Sequence, residues 1–231
     1  MPFAFFGVDH LAALAITAAT AWGLSRLVRR APEGKGARAV RVALAAYLLL
    51  ATAAVMLAGP RGELRLLDVL PLHLCDLAIF IAAYTLIARA QATFELLYFW
   101  ALTGTLLAML TPDLERGFPD LACVSFFGIH GGVVTAALLL AWGFGMRVRR
   151  GAAWKVFLFT NAYAALVGVV DLLANTNYMY LRAKPSTPTL LDGLGPWPWY
   201  LLAADGLALV TFLLLELPYH RSRHDETGGL S

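Results

Sequence analysis

The run PLHLCDLAIFIAAYTLIARA, residues 71–90, decides the fold. As a helix at about 1.5 Å per residue it spans about 30 Å, the thickness of a bilayer's hydrocarbon core. Its opening nevertheless carries an imidazole, a thiol and a carboxylate, at His73, Cys75 and Asp76. Ionisable side chains are costly in hydrocarbon, so their placement in a span is a functional hypothesis by default. His130, Asp171 and Asp205 repeat the pattern in three other apolar runs.

Composition sets the class. The chain has 231 residues, 60% of them hydrophobic and 14% charged, with a mean hydropathy of +0.69. That is too apolar for a soluble domain of this size. Stretches of spanning length fall at Phe6–Leu27, Ala39–Gly59, Pro71–Ala90, Phe94–Thr111, Cys123–Phe144, Ala153–Asn175 and Trp197–Leu217. The expected architecture is all-α, a polytopic membrane protein of seven transmembrane helices, with residues 1–231 forming one transmembrane domain.

The basic residues orient it. Arg26, Arg29, Arg30, Lys35, Arg38 and Arg41 fill the first connection, Arg89 the third, and Arg147, Arg149, Arg150 and Lys155 the fifth, with Arg221 and Arg223 in the tail. The opposite side holds only Arg61, Arg65, Arg116, Arg182 and Lys184. The positive-inside rule then puts the N-terminus outside and the C-terminus in the cytoplasm. An Arg cluster after the first span, with no basic residue before it, reverses the order of a secretory signal, so that span is expected to remain as a helix. The net charge of +3 reads as juxtamembrane anchoring to membrane lipids, with no nucleic-acid partner. No CxxC, HExxH, Walker or GxGxxG pattern occurs, so neither a metal nor a cofactor is expected. Cys75 and Cys123, both near the outer ends of their spans, are read as two inert thiols in preference to a disulfide.

Two short matches recur at nearly one offset. Phe5-Phe6-Gly7-Val8-Asp9-His10 opens the first span and Phe126-Phe127-Gly128-Ile129-His130 lies in the fifth. Leu66-Leu67-Asp68-Val69-Leu70-Pro71 precedes the third and Leu190-Leu191-Asp192-Gly193-Leu194-Gly195-Pro196 the seventh. They suggest a parallel repeat, residues 1–90 and 123–217, joined by a linker helix over 94–111. Sorted by depth, the polar residues of the spans crowd the outer half, which predicts an outward polar cavity with its floor near His130 and Asp205.

Helical spacing assigns neighbours. His73, Asp76, Phe80 and Tyr84 form one stripe, in which Asp76 is placed to hold the His73 ring. Cys75 points elsewhere and must find an imidazole across helices, with His130 the natural partner. Three glycines, Gly128, Gly131 and Gly132, are expected to leave room beside the His130 ring. Asn161, Ala164, Gly168, Asp171 and Asn175 make a stripe of small and polar residues. Asp171, Asn175, Asn177 and Tyr178 are candidate cavity residues, with close packing and an interfacial aromatic belt as the competing readings.

The segments Leu70-Pro71-Leu72-His73-Leu74-Cys75, Leu110-Thr111-Pro112-Asp113, Asn175-Thr176-Asn177-Tyr178-Met179-Tyr180-Leu181 and Gly195-Pro196-Trp197-Pro198-Trp199-Tyr200 resemble the YwaF family of bacterial seven-helix membrane proteins, over nearly the whole chain. That family is distantly similar to the eukaryotic transmembrane protein 164 family, proposed lipid acyltransferases that use a cysteine. Beyond these lie membrane hydrolases of fatty-acid esters that use a threonine and a histidine. The resemblance implies that His130 is the deep histidine of those relatives. Their cysteine directly precedes the third-helix histidine, where this chain has Leu72; Cys75 lies one turn further on nearly the same face.

Together these features point to acyl transfer or ester/thioester hydrolysis on an acyl lipid. Cys75 would be the nucleophile, His130 the base, and Asp205 or Asp76 the group that orients an imidazole, His73 included. Two other readings stay open. One is a small-solute or ion transporter, against which no proline lies in a span interior; the other is a ligand-binding membrane sensor that needs no nucleophile.

Overall fold

The computed structural model describes residues 2–58, 70–185 and 189–221. Leu66 to Val69 of the second repeat motif, and Arg61, Arg65 and Arg223, lie outside these residues. Among the described residues the chain is all-α, with one isolated antiparallel bridge between Pro2 and Arg116. The helices are α1 (Val8–Arg29), α2 (Lys35–Ala58), α3 (Leu74–Ala88), α4 (Gln91–Leu110), α5 (Leu121–Gly143), α6 (Ala152–Ala174) and α7 (Trp199–Arg221). All but α3 are long and apolar enough to cross a membrane.

At 15 residues α3 is about 22 Å long, short of a hydrocarbon core. Pro71 biases Leu70 away from helical geometry. The Leu72 N–H then closes on the Leu70 carbonyl at 2.8 Å, and His73 is an extended N-cap (φ −66°, ψ 145°). The helix therefore begins three residues later than the apolar run, and it ends at Arg89 in a left-handed conformation (φ 51°).

Two helices contain wide turns. In α4 the Leu106 N–H reaches back five residues to the Ala101 carbonyl, and in α5 the Phe144 N–H does the same to Leu139. Such π turns hold one extra residue, and nothing in the apolar pattern announces them. At the other end of the chain α7 runs on through Pro218 to Arg221, although the apolar run stops at Leu217.

The chain divides into two compact units, residues 1–146 with 185–189 and residues 147–184 with 190–231. In the first, α5 packs against α1 and α2, while α3 packs against α2, α4 and α5. Small residues on α5 let the neighbours approach, as van der Waals association in lipid requires. The glycines do not open space beside His130 as expected. An added Cβ would meet Tyr47 Oη at 2.6 Å from Gly128, Thr17 Oγ1 at 2.6 Å from Gly131 and Leu48 Cδ2 at 2.8 Å from Gly132.

The least forgiving case is Gly143, whose Cβ would lie 3.3 Å from Ser25 Cα, a backbone atom that cannot rotate away. Gly143→Val is therefore expected to destabilise the α1–α5 contact by about 1–3 kcal/mol, the usual cost of overpacking. Thermal unfolding in detergent followed by tryptophan fluorescence measures it.

At one end of this unit the first connection is tied to α3. Arg89 grips Glu33 with two bonds (2.6 and 3.1 Å), Arg41 donates to the Leu86 and Ile87 carbonyls, and both guanidinium groups lie over the Phe144 ring. The Arg89 guanidinium beside Glu33 holds its carboxyl below the usual 4.5. A depressed carboxyl gives its stabilisation above its ordinary pKa and loses it as pH falls through the lowered value. Because Glu33 is exposed, Glu33→Gln is expected to leave the unfolding midpoint unchanged at neutral pH, and an acid titration should show no difference confined to a step above pH 4.5.

The second unit pairs α6 with α7. Glu216 of α7 is buried and accepts from the Gly151 N–H (2.6 Å) and the Ala153 N–H (2.8 Å), capping the start of α6 from another helix. His220 Nε2 bonds the same carboxylate at 2.6 Å. Further along, Asn161 Nδ2 donates to Asp205 Oδ1 at 3.0 Å.

Candidate functional site

Four of the candidate residues, His73, Cys75, Asp76 and His130, lie in the first unit. On α3 the buried face is Ile79, Ala82 and Leu86, and Cys75 continues it at the helical spacing of three and four. Phe80 and Tyr84 are exposed, so the stripe that starts at His73 and Asp76 runs onto the outer surface of α3. The capping geometry also redirects Asp76. Its carboxylate takes the His73 backbone N–H, one half of a capping box, and the His73 ring adds electrostatic attraction.

Cys75 is half-buried and not disulfide-bonded, as is the buried Cys123. Across the interface between α3 and the wide turn of α4 lies Thr105, whose buried hydroxyl has no hydrogen-bond partner among the described residues, with the Cys75 thiol within electrostatic reach. Thr105 was not singled out by the sequence. The only sign is a Thr-Gly-Thr step, Thr103 to Thr105, within an apolar run.

Among the described residues His130 makes one hydrogen bond. Its Nδ1 donates to the Phe126 carbonyl one turn back at 2.9 Å, and the ring stacks on Phe126 with centroids 4.0 Å apart. A carbonyl can only accept, so the neutral ring carries its proton on Nδ1 and leaves the Nε2 lone pair free. The main chain thus does the orienting that the sequence assigned to a carboxylate.

His10, the counterpart of His130 in the repeated motif, is bonded on both sides. Its Nδ1 accepts from the Phe6 N–H at 3.0 Å and its Nε2 donates to the Met109 carbonyl at 2.8 Å. It is buried among Phe3, Phe6 and Phe127. Both nitrogens are spent on structure: one holds the entry to α1, the other satisfies an end carbonyl of α4.

A cavity of about 680 Å³ lies among α1, α2 and α5 and is lined by Asp9, Thr17, Tyr47, Cys123, Gly128 and Gly131, among others. His73, Cys75 and His130 are not among its lining residues. Cys123 is, but it stands seven residues from His130 on the same helix, about 10 Å along the axis. That is beyond the reach of direct proton transfer or of one bridging water.

In the second unit Asp171, Asn175, Asn177 and Tyr178 form one hydrogen-bonded knot where α6 ends. Asp171 is fully buried; its Oδ1 accepts from Thr176 Oγ1 (2.7 Å) and the Tyr178 N–H (2.8 Å), while Oδ2 has no partner among the described residues. Arg182 donates to the Asp171 and Thr176 carbonyls and to Asn175 Oδ1, a cation closing a helix C-terminus. Asn177 Oδ1 accepts from the Arg182 and Ala183 N–H groups. The polar side chains read as a cavity wall thus have local partners. Asp205 lies on α7, engaged by Asn161.

Comparison with known proteins adds three findings. A sequence model described as the TMEM164 family matches residues 5–216. An uncharacterised protein of Treponema pallidum (strain Nichols) is 27% identical over 164 residues, which cover 67% of this chain and 64% of that protein. The match thus spans just under two thirds of that relative's length. No solved structure matches the chain.

Proposed function

Because the chain belongs to the TMEM164 family, we propose that it is an integral membrane enzyme of lipid acyl transfer or ester hydrolysis, with the Cys75 thiol as nucleophile and His130 as base. The observation that supports this most is the one-sided bonding of His130, which supplies an imidazole with its tautomer set and its Nε2 open. Cys75 comes from α3, which packs on α5, the helix that carries His130.

In the reaction Nε2 takes the thiol proton as Sγ attacks the ester carbonyl of an acyl lipid. The tetrahedral adduct collapses, the lipid alcohol leaves with the proton returned by the imidazolium, and an acyl thioester remains on Cys75. A second alcohol, or water, then attacks the thioester while Nε2 takes its proton, and the thiol is restored. Thr105, its hydroxyl otherwise unengaged beside Cys75, is placed to hydrogen-bond the sulfur. In this reading α3 crosses with the other six helices, the N-terminus is outside and the chain groups with the bacterial YwaF proteins. Asp76, which attracts the His73 ring, is a positioning residue.

The test is to incubate the purified protein in nanodiscs with a diacyl phospholipid and a lysophospholipid and to follow both by mass spectrometry. Appearance of new acyl combinations, or of free fatty acid, abolished in Cys75→Ala, is expected. No turnover of any acyl lipid, with solute uptake into proteoliposomes instead, would favour a transporter. Orientation has its own check in a background lacking both native thiols. Gly34→Cys and Phe118→Cys should react with an impermeant maleimide from opposite sides of the membrane; reaction of both from outside reverses the assignment.

A further inference from the structure

The last turns of α1 carry Arg26 and Arg29, and Arg30 is the residue that caps them. With Trp22, Ser25 and Trp142 from the wide turn of α5 they enclose a cavity of about 500 Å³. Gly143 makes this possible, since its missing side chain lets Ser25 approach the turn that presents Trp142. Two of its three cations are held in place. Arg29 Nε donates to the Trp142 carbonyl at 2.9 Å, which fixes the guanidinium, and its two Nη groups have no partner among the described residues. The Arg26 guanidinium lies 5.0 Å above the Trp22 ring.

Charge balance separates this cavity from its neighbour. The cavity lined by Arg38 and Arg41, about 340 Å³, contains Glu33, and Arg41 is committed to two carbonyls. No acidic side chain lines the cavity at the end of α1, and none of its three arginines is paired with a carboxylate among the described residues. Three cations in one recess, one of them pinned with its two-nitrogen edge free, match the geometry of a phosphate, which Arg binds in bidentate fashion. The walls add the second half of the argument. Trp22 and Trp142 are about half exposed, at the ends of two membrane-spanning helices. Half-exposed indoles there take the place of an interfacial belt, where a ligand is polar on one side and apolar on the other.

We propose that this cavity binds the phosphodiester headgroup of an anionic phospholipid. Arg29 makes the bidentate contact, Arg26 and Arg30 neutralise the remaining charge, and the two indoles lie along the glycerol and the first carbons of the chains. The site is independent of the acyl-transfer reading and stands or falls without it.

Native mass spectrometry of the full chain in detergent, titrated separately with phosphatidylglycerol, phosphatidylcholine and inorganic phosphate, tests it. Phosphatidylglycerol is expected to bind well above the other two. Replacing all three residues, Arg26→Gln, Arg29→Gln and Arg30→Gln, should weaken that binding by about a hundredfold, at about 1 kcal/mol for each charge. The matched removal of Arg147, Arg149 and Arg150 should change it less than about threefold. Should the first triple variant not fold, Arg29→Lys decides, because it keeps the charge and loses both the Trp142 bond and the bidentate edge; about a tenfold loss is expected. Equal losses in the two triple variants, equal binding of phosphatidylcholine, equally tight inorganic phosphate, or an unchanged Arg29→Lys would each overturn the proposal.

Discussion

His130→Ala is expected to slow acylation of Cys75 by about 10²–10⁴-fold, the range a positioned general base supplies. The readout is the rate at which an acyl-thioester or cysteine-directed probe traps Cys75 in the purified protein, site-resolved by peptide mass spectrometry. A size this large follows from the bonding of the ring. With Nδ1–H held by the Phe126 carbonyl at 2.9 Å and the ring face fixed at 4.0 Å from Phe126, Nε2 is the single free basic atom of the imidazole, already in the tautomer that accepts a proton. Alanine removes that atom and leaves the thiol to lose its proton in a half-buried setting, where a thiolate is poorly solvated. Cys123→Ser supplies the contrast: its sulfur lines the large cavity but stands two turns from Nε2, so trapping at Cys75 should change less than about threefold. Equal trapping of both thiols, indifferent to His130, would leave the proposed enzyme without a nucleophile.

The largest stability effect is expected at Glu216. Its carboxylate is buried and is the acceptor for two N–H groups at the start of α6, where four such groups have no partner within the helix itself. Glu216→Ala strands both. At about 1–3 kcal/mol for each unsatisfied buried donor, and with the favourable anion at the helix N-terminus also lost, the cost comes to about 3–5 kcal/mol. Glu216→Gln keeps one acceptor oxygen but turns an NH2 toward the other donor, so it should recover less than half. Thermal unfolding resolves the two, with limited proteolysis near Gly151 as a local reporter; an alanine variant as stable as the parent would show that the cap carries no weight.

How much of this was legible in the sequence depends on the kind of interaction. The apolar runs announced the helices because hydropathy is a property of composition, which is why six long apolar helices and a shorter seventh lie where they were read. Ends are less legible, since they depend on main-chain geometry: His73 falls inside an apolar run and is the extended cap before α3, and α7 continues through Pro218 beyond its run's end at Leu217. Side-chain partners were least legible. Helical spacing puts His73 and Asp76 on one face, yet it cannot tell that His73 is the extended cap and that the carboxylate takes its backbone N–H. The two histidines of the repeated motif look alike in sequence; what separates them is whether an α4 carbonyl stands opposite the second nitrogen, a fact of packing between distant segments.

A wide turn holds one residue more than the helix around it, so everything after Thr105 is rotated by about 100° from where an unbroken α-helix would put it. Met109 lies in the later part, and its carbonyl is the acceptor that fixes His10. Were the same residues wound as ordinary α-helix between Ala101 and Leu106, α4 would stay whole, apolar and about as long, and no hydropathy reading would register the change. Met109 would nevertheless swing away from α1, and His10 would be left with a buried donor and nothing to receive it. The angle at which α4 locks to α1 is thus set by counting, one residue at a time, as a combination dial is set by its number of clicks.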